Sequence, residues 1–217
     1  SPLVGGVILF SRNFESVAQL RQLVETHTEA KKEEEAIRER QKAYQELMKH
    51  SSAVREKLNE LKQQFMNIAA ATNPQQRGFD LERLMLDLFE LVDLDPKASF
   101  RNVGEQIDGA FTLESTDYLF EAKWQQSPVA IQDLDAFSSK VGRKLENTLG
   151  LFLSMNGYSQ EAIDAHSRGT PNTILMDGAD LLAVLEQRID FVSLLIRKKR
   201  HAAQTGRIYL PIHQILA

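Results

Sequence analysis

The order of apolar and polar positions divides the chain into three stretches. Val7-Ile8-Leu9-Phe10 is a continuous apolar run of the kind buried in a parallel sheet. Ser16 can cap a helix running through Leu20, Leu23 and Val24. Residues 29–70 contain neither Pro nor Gly, and their apolar positions recur every seven residues. One series is Ile37, Tyr44, Ser51, Leu58, Phe65 and the other Arg40, Leu47, Val54, Leu61, Ile68; eight of these ten are apolar, which predicts a coiled-coil seam. Asn73-Pro74-Gln75-Gln76-Arg77-Gly78 breaks that helix. An amphipathic helix follows on Leu81, Leu84, Met85, Leu88, Phe89 and Val92. Strands are predicted over 98–101, 106–113, 118–124, 149–154 and 173–176, and helices over 132–144, 160–166, 179–187 and 191–201. This order predicts a mixed α/β sandwich around a central sheet, preceded by a long helical segment. The expected divisions are a strand–helix segment over 1–28, a coiled-coil helix over 29–73 and an α/β domain over 74–217.

Composition narrows the function without naming it. The 217 residues are 42% hydrophobic and 26% charged, which fits a globular protein. No apolar run is long enough to span a membrane. Cysteine is absent, which excludes a thiolate zinc site and a Cys nucleophile; together with the lack of a signal peptide this favours a cytoplasmic setting. The net charge is −4, but its distribution matters more than its sum. Residues 77–217 carry fifteen basic and twenty acidic side chains, so the carboxylate excess lies in the α/β domain. The one dense basic run is Arg197-Lys198-Lys199-Arg200, a candidate contact for a DNA backbone.

The chemistry concentrates in Gly104-Glu105-Gln106-Ile107-Asp108-Gly109-Ala110-Phe111 and Tyr118-Leu119-Phe120-Glu121-Ala122-Lys123-Trp124. Strand periodicity puts Glu121 and Lys123 on one face and Ala122 on the other. The turn over 112–117 lets Asp108 approach Glu121. Two carboxylates beside an ammonium form a site for a hard cation such as Mg²⁺. Glu82, at the edge of the apolar face of the preceding helix, can look toward the same cluster.

These residues resemble the PD-(D/E)xK nuclease superfamily, and within it the Mrr-like, restriction-endonuclease-type catalytic domains. Arg77-Gly78-x-x-x-Glu82 opens the domain in the same way. Gly150-Leu151-Phe152-Leu153-Ser154-Met155-Asn156-Gly157-Tyr158-Ser159 with Ala162 resembles that family's core strand and turn, and Ile174 to Leu182 its last strand and helix entry. The resemblance covers about residues 77–200. It implies a restriction-endonuclease-like α/β/α sandwich and metal-dependent hydrolysis of DNA phosphodiesters, in a setting such as defence against foreign DNA. It implies Asp108, Glu121 and the Ala122 carbonyl as ligands of Mg²⁺, with Mn²⁺ as substitute, Lys123 as the catalytic lysine and Glu82 as an assisting carboxylate. Lys140, on the helix after the catalytic strand, is a candidate contact to DNA phosphate, alongside 197–200, or to the active site itself, the alternative being an exposed helix lysine. One departure is Ile107, where the motif has Pro.

Leu3 to Phe14, with Ala18-Gln19-Leu20-Arg21, resembles a strand–helix unit of bacterial β-N-acetylglucosaminidases. It covers about 24 residues, far short of a barrel of roughly 250 residues. The segment therefore reads as a remnant or fusion, and the chain, starting at Ser1 without Met, as one that begins inside a longer sequence. The alternative to an enzyme is a non-catalytic DNA-binding or assembly module that keeps the fold and oligomerises. The 37–68 heptads admit two readings, a structural stalk or hairpin partner for the main domain and a homodimerisation helix; the homodimer is expected for either form.

Overall fold

A computed structural model of the chain describes residues 16–102, 105–169 and 171–217. The apolar strand expected at Val7–Phe10, and most of the glucosaminidase-like segment, lie outside the described residues. From Val17 the chain runs as one helix, α1 (Val17–Ala70), rather than as a short helix followed by a heptad helix. Asn73 then caps α2 (Pro74–Leu91). Its side chain accepts from the N–H groups of Gln75 and Gln76 at 3.0 and 3.2 Å, and Pro74 fills a first-turn position where no N–H partner is needed.

Among the described residues, the sheet has the order β1 (Lys97–Asn102), β2 (Glu105–Leu113), β3 (Thr116–Lys123), β4 (Leu149–Ser154), β5 (Thr173–Asp177). The first three strands pair antiparallel, while β3, β4 and β5 pair parallel. The parallel pairs need crossovers, supplied by α3 (Ile131–Gly142) and α4 (Gln160–His166). After β5 come α5 (Gly178–Leu185), α6 (Phe191–Thr205) and α7 (Ile212–Leu216). The apolar pattern gave no element for the last of these, a helix barely longer than one turn.

Alternation along the strands separates two cores. Phe120, Ala122, Leu151, Leu153, Ile174 and Met176 face one side, with Leu84 and Leu88 of α2, Leu181 of α5 and Leu194 of α6. Leu119, Phe152 and Leu175 face the other, with Leu134, Phe137 and Val141 of α3 and Ala162 of α4. The result is the expected α/β/α sandwich. Gly150 sets the distance between α3 and the sheet. A Cβ there would lie 2.5 Å from Phe137 Cε1 and 2.9 Å from Val141 Cγ2, so only glycine lets the helix lie this close to β4.

The chain forms two compact units that divide between Ser52 and Ala53, upstream of the break at Pro74. Leu61, Phe65 and Ile68 are buried in the core of the second unit. Phe65 stacks on Trp124 at 5.7 Å, and the Arg77 guanidinium lies 5.0 Å from the centre of the same indole. The downstream half of the heptad seam is thus consumed by packing in cis. In the first unit Ile37, Tyr44 and Met48 are exposed. No helix among the described residues is long and apolar enough to cross a membrane.

The C-terminal elements are fastened by a buried polar cluster. Asp177 and Asp180 form a capping box at the start of α5. Lys198, 1% exposed, reaches from α6 to Asp180 Oδ2 at 2.7 Å and donates to the Leu210 carbonyl at 2.5 Å. Tyr209 donates to Asp177 Oδ2 at 2.5 Å. Burial pushes Asp180 up to about 6 and Lys198 down, while their mutual attraction works against both shifts.

Two predictions follow the packing. A chain starting at Ala53 folds with a melting profile like that of the second unit in the full chain. One starting at Pro74 loses three buried side chains worth roughly 1.5–3 kcal/mol each, and melts well below it by circular dichroism. Lys198→Met strands the buried Asp180 and costs about 3–5 kcal/mol near neutral pH. Asp180 has a folded pKa above its unfolded value, so the cost of ionising it is absent below about pH 4 and complete above the folded value. Removing the lysine raises that value further. The difference between variant and parent in urea unfolding therefore shrinks from pH 8 to pH 5.

Candidate active site

The site forms where the sheet forks. The β2–β3 ladder runs from Leu113↔Thr116 to Gly109↔Phe120 and stops there. Beyond that point β2 pairs only with β1, through Ile107↔Phe100, Gln106↔Arg101 and Glu105↔Asn102. In turn, β3 pairs only with β4, through Glu121↔Phe152, Ala122↔Leu153 and Lys123↔Ser154. Asp108 and Glu121 are the first residues on either side of the gap.

Side chains satisfy what the ladder no longer can. Asp108 Oδ2 accepts the Ala122 N–H at 3.1 Å. Lys140 reaches in from α3 and spans the gap, donating to the Gln106 carbonyl at 3.0 Å and to Glu121 Oε2 at 2.6 Å. Lys123 is paired with Asp133 in the first turn of α3. Gln106 has an exposed side chain and contributes its backbone carbonyl to the site.

Glu82 comes from α2 and completes the acidic cluster. Burial, then the nearby Asp108 and Glu121 carboxylates, push its carboxyl up to about 7. Asp108 rises to about 6, chiefly through burial, with a smaller contribution from Glu121. The Ala122 N–H and the Lys140 and Lys123 charges only partly offset this. Two carboxyls held above their ordinary range, first by burial and then by neighbouring carboxylates, mark an excess of buried anionic oxygen. That excess fits a hard divalent cation. Among the described residues no group of three or more His, Asp or Glu side chains is gathered tightly enough to hold a metal alone. The carboxylates of Asp108 and Glu121 could bind Mg²⁺, an ion that keeps several of its waters and needs few protein ligands.

The structure thus brings Glu82, Asp108, Glu121, Lys123 and Lys140 together. It does not bring the basic run to them. Lys198 is buried against Asp180 and presents no charge to a DNA backbone, which corrects its reading as a DNA contact. Arg197 donates to the Ile215 carbonyl at 3.0 Å. Lys199 Nζ lies 3.4 Å from Thr116 Oγ1, and Thr116 and Lys123 are opposite ends of β3. Arg200 is exposed on the same helix. Lys140, by contrast, turns inward to the acidic cluster rather than standing on an outer helix face. The residue that sequence reasoning missed is Asp133. Its signal was available: Asp133 and Lys140 are seven residues apart, two turns of helix, and so share the face toward Glu121-x-Lys123. A cavity of about 530 Å³ lined by Lys97, Ala110, Leu119, Arg143 and Leu145 involves none of these acidic residues.

Among solved structures the chain is similar to the DNA modification-dependent restriction endonuclease AspBHI, at 15% identity and a TM-score of 0.40 over 72% of this chain and 40% of that one. It is similar to the MspJI restriction endonuclease, solved in complex with a 27-mer oligonucleotide, at 16% identity and a TM-score of 0.37 over 69% of this chain and 35% of that one. A protein of unknown function, AF1548, gives 14% identity and a TM-score of 0.40 over 59% of this chain and 78% of that one. The chain thus spans less than half the length of either endonuclease. The curated proteins give no match. The model of the restriction endonuclease family, in its Mrr-type catalytic form, matches residues 75–185, and the chain belongs to that family.

Proposed function

We propose that this nuclease-family domain is a metal-dependent DNA endonuclease whose active site is the sheet fork. The observation that carries the reading is the convergence of Asp108, Glu121 and Glu82 beside Lys123, with Glu82 pushed up to about 7 and Asp108 to about 6. Asp108, Glu121 and the Ala122 carbonyl would hold Mg²⁺ or Mn²⁺. Such an ion supplies polarisation of a phosphoryl oxygen and acidification of a bound water. Lys123, released from Asp133, orients the attacking water and offsets charge growing on the phosphate. The water oxygen bonds to phosphorus in line as the phosphorus–oxygen bond to the leaving strand breaks. Glu82 is the carboxylate placed to take the proton the water gives up, and the leaving oxygen takes a proton from solvent. DNA as the substrate, and a role in defence against foreign DNA, are proposed from the family.

The homodimer expected from the heptads is retained as a proposal only for the upstream half of the seam, since Leu61, Phe65 and Ile68 are occupied in cis. Lys140, Arg197, Lys199 and Arg200 remain proposed DNA contacts, the first of them within the site itself.

The reading is tested by incubating the chain with double-stranded DNA and Mg²⁺ or Mn²⁺. Cleavage is expected with metal and absent with chelator. Lys123→Ala and Asp108→Ala should each lower the rate by about 10²–10³-fold, with circular dichroism unchanged. Cleavage by both variants at the parental rate would refute the site.

A further inference from the structure

The position of Lys140 has a consequence for how the site loads. Its ammonium bonds at once to the Gln106 carbonyl on the β2 arm, at 3.0 Å, and to Glu121 Oε2 on the β3 arm, at 2.6 Å. The lysine is 20% and the glutamate 12% exposed, so the pair sits inside the fork rather than on its rim. Lys140 cannot reach this position unless α3 lies close to the sheet. Gly150 permits that approach, since a Cβ there would overlap Phe137 and Val141 on the same helix.

We propose that Lys140 is a surrogate cation. It neutralises Glu121 and bridges the two arms of the fork until a divalent metal takes its place. It thereby sets the metal concentration at which the site fills. This rests on the metal-site reading above and adds a positioning residue to it. Mg²⁺ binds carboxylate oxygen at about 2.0–2.1 Å. With a doubly charged ion on Glu121, an ammonium 2.6 Å from that carboxylate would be a like charge at close range in a site largely removed from water. The metal and Lys140 therefore compete for Glu121. Loading frees the ammonium, which stays tethered at the mouth of the site by the α3 backbone.

A purely structural clip predicts the opposite. If Lys140 served only to hold the arms at the right spacing, removing its charge would loosen the ligands and weaken metal binding. The two readings differ in sign, so a gain of affinity is not a result that local damage can produce.

The test is titration of the full chain with Mn²⁺ by isothermal calorimetry, with no DNA present. Lys140→Gln keeps a donor for the Gln106 carbonyl and removes the charge; it is expected to bind Mn²⁺ on the order of tenfold more tightly than the parent. Lys140→Arg keeps the charge and should bind no more tightly than the parent. Equal or weaker binding by Lys140→Gln overturns the surrogate-cation role while leaving the metal site standing. Failure of parent and variant alike to bind Mn²⁺ overturns the metal site and this inference with it. A structure of the unsubstituted chain with Mn²⁺ bound gives a second measurement that needs no variant. Lys140 Nζ should have left Glu121, and its persistence in contact with Glu121 beside the metal overturns the proposal.

Discussion

A β-sheet that divides leaves peptide groups without a ladder partner, and buried peptide groups rarely go unpaired. That constraint organises the functional end of this domain. Where β2 and β3 part at Gly109↔Phe120, Asp108 turns its carboxylate to the Ala122 N–H and Lys140 turns its ammonium to the Gln106 carbonyl. Charged side chains are thus held inside the fork by backbone bonds. The acidic cluster follows from this, because Asp108 and Glu121 flank the gap and Glu82 approaches from α2.

Electrostatics then sets the charge balance of the fork. The cluster places three carboxyls near one another, and burial denies them water. Asp108 and Glu82 respond by moving up, to about 6 and about 7, because burial leaves the charged forms poorly solvated and neighbouring carboxylates add repulsion. Glu121 and Lys123 each have a partner on α3, Lys140 and Asp133 respectively. The strand reads acid then base and the helix answers acid then base two turns apart, so each unlike pair meets across the gap between the elements. The helix that covers the sheet therefore also supplies the counter-charges for Glu121 and Lys123.

How much of this was legible in the sequence depends on the range of the signal. The strands over 98–101, 106–113, 118–124, 149–154 and 173–176 emerged within one or two residues, because alternation and continuous apolar runs are local. Glu121 and Lys123 on a shared face also followed from the two-residue period. The fork did not, since nothing in Gly109 or Phe120 alone states where a ladder ends. The choice between the two partners open to Leu61, Phe65 and Ile68 was not legible for a related reason. Their heptad spacing marks an apolar stripe, but a stripe does not say whether a second helix or the domain's own core will cover it, and here the core does.

Lys198 shows the same limit in sharper form. In the run Arg197-Lys198-Lys199-Arg200 all four side chains look alike in sequence, and a basic run ordinarily means solvent or phosphate. On a helix, however, adjacent residues point about 100° apart, so four in a row cannot share one environment. Phe191, Leu194, Leu195 and Lys198 form the inward face of α6, following the three- and four-residue spacing, and the lysine takes the place an apolar residue would fill. It is tolerated there because Asp180, itself fixed by the capping box with Asp177, offers a carboxylate at 2.7 Å, and the Leu210 carbonyl accepts a further bond. Helical periodicity thus divides the run, and the same spacing that places Asp133 and Lys140 on one face of α3 puts Lys198 out of reach of any external anion. In this chain, charges near the catalytic strand are better identified by the helix face they occupy than by their density along the sequence.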